Sequence, residues 1–124
     1  MSGKVIHAAD VTGAEGTEGI RAALVDAFAQ VRAAVAAEQR ITLVVPADDL
    51  LGHRGPERGA YVGALVGIAR AVAFEGARAG RRINVLAVPS GTELSDAEVD
   101  GYIADGLSGQ VVTVGTALIG KVAP

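Results

Sequence analysis

Apolar positions along the chain recur with two periods, and the alternation between them predicts the architecture. Residues 5–9, Val-Ile-His-Ala-Ala, read as a short strand that ends at Asp10, and 11–18 as a Gly- and Thr-rich loop. From about 18 to 39 the spacing becomes helical. Ile20, Leu24, Phe28, Val31 and Val35 follow one another at intervals of four and three, a continuous stripe, with Ala at most other positions. The β-branched run 41–45 closed by Pro46 predicts a buried strand, 48–56 a polar loop, and about 57–79 a second long helix stopped by Gly80. Residues 83–88, closed by Pro89, form a third strand. Ser95, with Glu98 three residues on, has the capping-box pattern of a short helix, and 110–114 form a last strand. Strand, helix, strand, helix, strand, short helix, strand predicts an α/β, three-layer, Rossmann-like half fold. It has about four mostly parallel strands and two long crossover helices, in a single domain over 1–124.

The second helix departs from the usual surface pattern. Between Gly59 and Ala69 the only polar side-chain atom is the Tyr61 hydroxyl. A surface helix shows a polar face, and eleven residues are too few for a bilayer, which needs roughly 20. No membrane span is expected. This half-helix therefore calls for cover on two sides, its own sheet on one and another helix on the other. Gly59, Gly63 and Gly67 stand four apart and suggest a smooth ridge. Each costs about 1 kcal/mol relative to Ala inside a helix, and close approach of another backbone is the usual compensation. The bland alternative is that the ridge packs on the chain's own sheet.

Composition sharpens this picture. Half the residues are hydrophobic, yet only two Phe and two Tyr are present, so the core is built from Ala, Val, Leu, Ile and bare Gly. A formal net charge of -3 and the scarcity of aromatics argue against a nucleic-acid face. With no Cys there is no disulfide framework, thiolate metal site or thiol nucleophile, and no N-terminal signal segment is evident. A soluble, cytoplasmic protein is the expectation.

A family resemblance enters with the segment Ala60-Tyr61 … Gly67-Ile-Ala-Arg70-Ala-Val-Ala-Phe-Glu75 … Gly80-Arg-Arg-Ile-Asn84-Val-Leu-Ala-Val-Pro89. It resembles the carboxyl half of a short-chain dehydrogenase/reductase, where the catalytic-Tyr helix precedes an Arg-Val-Asn-Ala-Val-Ala-Pro-like strand. Ser108-Gly-Gln-Val-Val-Thr-Val-Gly115 is similar to that family's last strand, and Val5-Ile-His-Ala-Ala-Asp10-Val-Thr-Gly13 to its Asn-Asn-Ala-Gly strand. The catalytic pattern is missing. With Tyr61 as the catalytic Tyr, Leu65 stands where the Lys belongs. Aligned on Gly67 and Arg70, Arg58 takes the Tyr position and Val62 the Lys position. The only lysines are Lys4 and Lys121. The Lys charge lowers the Tyr pKa, and neither Leu nor Val does so. The family's Gly-rich cofactor half would precede residue 1. The resemblance thus implies a truncated, catalytically inactive member.

In intact members the two long helices form a four-helix bundle between subunits. The expected partner is a second copy, or an intact oxidoreductase of the family in a hetero-oligomer. The expected interface residues are Leu24, Phe28, Val31, Gly59, Tyr61, Gly63, Val66, Gly67, Arg70 and Phe74. No resident cofactor is expected, NAD(P) coming only through a partner.

A rival reading makes the chain a small nucleotide-binding oxidoreductase. The Thr12–Gly19 turn, with Gly13, Gly16 and Gly19, would hold phosphate at a helix N-terminus, and Asp48 would accept ribose hydroxyls. Glu15 and Glu18 oppose it. Asp48, Asp49, His53 and Arg54 at a strand's carboxyl end could form an acid-base or metal site, although their spacing matches no ligand pattern and a solvated loop explains them far better. His7 reads more simply as a structural residue, and Arg78, Arg81 and Arg82 as a solvated helix C-terminus.

Overall fold

A computed structural model describes residues 3–10 and 16–115. The elements are β1 (Gly3–His7), α1 (Gly16–Ala36), β2 (Arg40–Pro46), α2 (Ala47–Leu50), α3 (Pro56–Glu75), a 3-10 turn (Ala77–Ala79), β3 (Ile83–Val88), α4 (Asp96–Gly101) and β4 (Val111–Thr113). The four strands lie side by side in chain order, all parallel. Parallel neighbours need crossover connections, and α1 and α3 supply the first two.

Strand alternation sorts the side chains into two cores. The row Ile6, Leu43, Val85, Val111 runs across the sheet in register, on the face packed with α1 and α3. One residue further along each of β2, β3 and β4, Val44, Leu86 and Val112 point the other way, toward Val99 of α4 and the flanking Leu94 and Ile103. The result is three layers: two long helices, the sheet, and a thinner cover around α4. Covered on both faces, β3 is buried along all six residues, which is why it reads as an unbroken apolar run. Its one amide, Asn84, is paired on both ends. It donates to the Leu107 carbonyl at 2.9 Å and accepts from the Gln110 N–H at 3.2 Å, fixing the entry to β4.

Several boundaries differ from the sequence pattern, each for a local reason. The second helix ends at Glu75 rather than near 79. Gly76 follows, where an added Cβ would lie 2.4 Å from the Arg81 side chain. Arg81 crosses there to donate to the Val35 carbonyl of α1 at 2.9 Å. The 3-10 turn then closes on Gly80 in the left-handed region (φ 72). The polar loop begins as a helical turn, α2, directly after Pro46. The first strand starts at Gly3 and ends at His7, and the last spans only Val111–Thr113.

The capping box of α4 is present: Ser95 Oγ accepts the Glu98 N–H at 3.2 Å, and Glu98 accepts the Ser95 N–H at 3.0 Å. These bonds hold the Glu98 carboxyl below its ordinary pKa. Ser95→Ala should cost about 1 kcal/mol in urea unfolding at pH 7. Separately, the contribution of the Glu98 carboxylate, whose bond is to the Ser95 backbone N–H, should be present above its unfolded pKa of about 4.3 and fade as pH falls through the lowered folded value.

Candidate functional site

The carboxyl ends of β1, β2 and β3 open into a cleft of about 310 Å³. Ligand sites in parallel α/β sheets sit at this end because the loops leaving the strands diverge there. His7, Ala8, Ala9 and Asp10 line it from β1, Val44 to Pro46 from β2, and Val88 to Thr92 from β3. Asp49, Arg54 and Arg58 supply its charged wall.

That wall is organised around one carboxylate. Asp49, on α2, is only 4% exposed. Arg54 grips it with two bonds, Nε to Oδ1 at 2.9 Å and Nη2 to Oδ2 at 2.6 Å. The hydrogen bond to Asp49 raises the Arg54 pKa further, so this guanidinium stays charged. Arg58, in the first turns of α3, lies with Nη1 3.8 Å from Asp49 and 3.4 Å from Asp10. Asp48, beside Asp49, accepts the Ser90 hydroxyl at 2.9 Å, tying α2 to the loop after β3. Two guanidiniums against a buried carboxylate make a fixed charged scaffold.

Tyr61 lies outside the cleft. Its side chain is buried (3% exposed) in the core under α1 and α3, and its hydroxyl accepts the Ala9 N–H at 2.8 Å. Burial pushes the phenol above its usual pKa. The Ala9 bond pulls the other way, and the Asp26 charge adds to the rise. An acid-base phenol for hydride chemistry needs the opposite, a neighbouring cation that makes it more acidic. Among the described residues the cleft lining holds neither Tyr nor Lys. Arg58, three residues earlier on α3, is the helix residue that reaches it.

The sequence-predicted interface residues divide. Phe28, Gly63, Gly67, Arg70 and Phe74 are exposed on the outer side of the helical layer, Phe74 at 85%. Val31, Tyr61 and Val66 are buried in the chain's own core, and Leu24 packs against it. Gly59 also turns inward: an added Cβ would lie 3.4 Å from the Gly52 Cα. The supposed ridge of three glycines is therefore two. Steps of four residues advance about 40° around a helix of 3.6 residues per turn, so Gly59 rotates off the line of Gly67. At Gly63 and Gly67 an added Cβ would meet nothing within 4 Å.

The sequence pattern missed Ala60 and Ala71 of α3 and Val25 of α1 (64% exposed), which complete this outer face. Where Ala and Gly fill most positions around a helix, periodicity has little direction to point. Burial by the sheet, known only from the fold, distinguishes the two sides.

Of the nucleotide-binding candidates, Gly16 and Gly19 lie in the first turn of α1, Asp48 is bonded to Ser90, and Gly13 lies outside the described residues. From the 48–56 loop, Asp49 and Arg54 reach the cleft, while His53 is exposed. His7 lines the cleft, with Nε2 3.9 Å from Asp96. Among the described residues there is no cluster of three His, Cys, Asp or Glu that could hold a metal. No helix there is long and apolar enough to cross a membrane.

No protein-family model matches the chain, and no curated protein does. Among solved structures, it is similar to a 4-hydroxyisoleucine dehydrogenase complexed with NADH and succinate. The TM-score is 0.56 at 18% identity, over 92% of this chain and 68% of that one. The shared property is the fold. A dehydrogenase has the same Rossmann-like arrangement of parallel strands and crossover helices.

Tyr61→Phe should leave the Ala9 N–H without its partner and cost about 1 kcal/mol in urea unfolding. The raised phenol pKa gives a sign as well. Its stabilisation is present below the unfolded value of about 10 and lost as pH rises through the folded value. The wild-type chain should therefore lose stability in that alkaline range more steeply than the Phe variant.

Proposed function

We propose that this chain is a non-catalytic subunit of the short-chain dehydrogenase/reductase type that acts by association through the outer face of α1 and α3. The observation that carries the reading is that face: Val25, Phe28 and Phe74 are the large apolar side chains on it, 64%, 49% and 85% exposed, around a strip of Gly and Ala. Large apolar side chains left exposed on one helical layer, with Arg70 the charged residue named among them, make it the candidate interaction surface. The dehydrogenase fold neighbour and the resemblance in the segment from Ala60 to Pro89 support the family type. The occupied Tyr61 hydroxyl and the cleft lining of arginines and carboxylates support the absence of hydride chemistry. Where the partner is an intact reductase, docking on this face stabilises it or shapes its substrate pocket, and NAD(P) enters through that partner.

A second reading, nucleotide binding by the chain itself, is favoured by the cleft at the strand ends and by the NADH held by the fold neighbour. The two readings separate by experiment. Gly63 faces open space, so Gly63→Leu fits the single chain and removes a helix glycine, which should raise its unfolding stability by up to about 1 kcal/mol. The same substitution should weaken association tenfold or more in sedimentation. A chain that sediments as a monomer at micromolar concentration and binds NADH saturably in a fluorescence titration would overturn the first reading in favour of the second.

A further inference from the structure

A further cavity, of about 350 Å³, lies at the amino ends of β2 and β3, at the opposite end of the sheet from the cleft. The end of α1, the last turn of α3 and the residues leading into β3 enclose it. Val35, Ile41 and Val72 give it an apolar floor, and Glu38, Arg81 and Arg82 are the charged groups of its lining. We propose that this cavity binds an apolar α-amino acid, with its side chain on that floor, its carboxylate on Arg81 and Arg82, and its ammonium on Glu38.

Size and charge select this class of ligand. Small-molecule sites begin at about 300 Å³, so this cavity takes a compact ligand rather than a dinucleotide. Charges of both signs line the same space, yet among the described residues Glu38, Arg81 and Arg82 form no ion pair with one another or with any other side chain. Arg81 donates through Nη1 to the Val35 carbonyl at 2.9 Å, which anchors the guanidinium and leaves its other nitrogens to a ligand. A lone anion here would be opposed by Glu38, and a lone cation by the two arginines. A zwitterion with both charges on one carbon meets both, and its apolar body covers Val35, Ile41 and Val72.

The backbone at Glu38 favours the same reading. Among the described residues it is the one non-Gly residue in the left-handed region (φ 57). It stands just past α1 at the position where helices usually place Gly. Its N–H donates to the Val35 carbonyl at 3.0 Å, and the Gln39 N–H donates to the Ala34 carbonyl at 3.0 Å. Glycine would close that turn without strain, because it has no Cβ to meet the following carbonyl. A carboxylate held there, on the rim of a cavity with two unpaired arginines, is explained by a ligand and not by the turn. The site goes beyond the association reading and does not depend on it, since Val25, Phe28 and Phe74 are absent from its lining.

Isothermal calorimetry on the full chain, with leucine as the probe, tests the assignment. Leucine should bind saturably at millimolar concentration or below and raise the urea midpoint, as a ligand of the folded chain does. N-acetylleucine, which lacks the ammonium, and leucinamide, which lacks the carboxylate, should each bind tenfold or more weakly. Arg82→Gln should weaken leucine tenfold or more. Glu38→Gly should raise the urea midpoint, since Gly suits the left-handed turn, and should bind leucine no better than N-acetylleucine. A Glu38 that served only the turn would not give a more stable chain with its ligand preference lost. The absence of saturable heat with leucine overturns the proposal. Equal binding of leucine and its two blocked forms overturns it as well, because it removes the zwitterion. Leucine binding unchanged by both Arg82→Gln and Glu38→Gly does the same, because it puts the ligand outside this cavity.

Discussion

A stretch of crossover helix that is apolar around its whole circumference must be covered on both sides, and α3 from Gly59 to Ala69 is such a stretch. Its inner side meets the requirement within the chain: Tyr61, Val62, Leu65, Val66 and Ala69 are buried against the sheet and α1. Its outer side is left with Ala, Gly and Phe74, and with Arg70 as the charged residue among them. Solvent does not ask for that choice, since any helix-favouring polar residue at Gly63 or Gly67 would gain about 1 kcal/mol and meet no obstacle. Glycines elsewhere in the chain have internal reasons. Gly59 lies against Gly52, and Gly76 makes room for Arg81 on its way to the Val35 carbonyl. For Gly63 and Gly67 no such reason exists among the described residues, and the association proposed above would supply one.

The same helix sets the character of the cleft. Arg58 and Tyr61 are three residues apart, a rotation of about 60°. That rotation sends the guanidinium toward the strand ends and the phenol into the core. The phenol then serves β1, satisfying the Ala9 N–H just past the strand, and burial makes it a weaker acid. The charge in the cleft is held instead by Asp49, which Arg54 grips through Nε and Nη2 and Arg58 approaches from α3. The strand ends are thus held by ion pairs on Asp49, while the Tyr61 hydroxyl is engaged by the Ala9 N–H.

Much of this was legible in the chain before folding. The β-branched runs closed by Pro46 and Pro89 specify the two central strands, because a sheet covered on both faces accepts continuous apolar sequence. Ser95 and Glu98 specify the start of α4 because both of their bonds are local. The parallel order follows from two long helices between strands. The direction of the outer face was not legible: Val31, Tyr61 and Val66 have the same chemistry as the residues opposite them, and only the sheet's position separates the two sides. The end of α3 was hidden for a related reason. Gly76 stops the helix through Arg81 and α1, a contact between segments far apart in sequence. The Asp49 cluster was visible as a polar loop, but burial of one carboxylate among two arginines depends on α2 folding directly off β2.

The outer face and the cleft both belong to α3, yet they share no residue: the stripe from Ala60 to Phe74 lies outward, and the cleft takes only Arg58 from the helix. A partner seated on the stripe therefore leaves the strand ends open. Association and any chemistry at the cleft are then separable properties of one helix. This arrangement suits a subunit that contributes surface to an assembly while its own strand ends stay accessible.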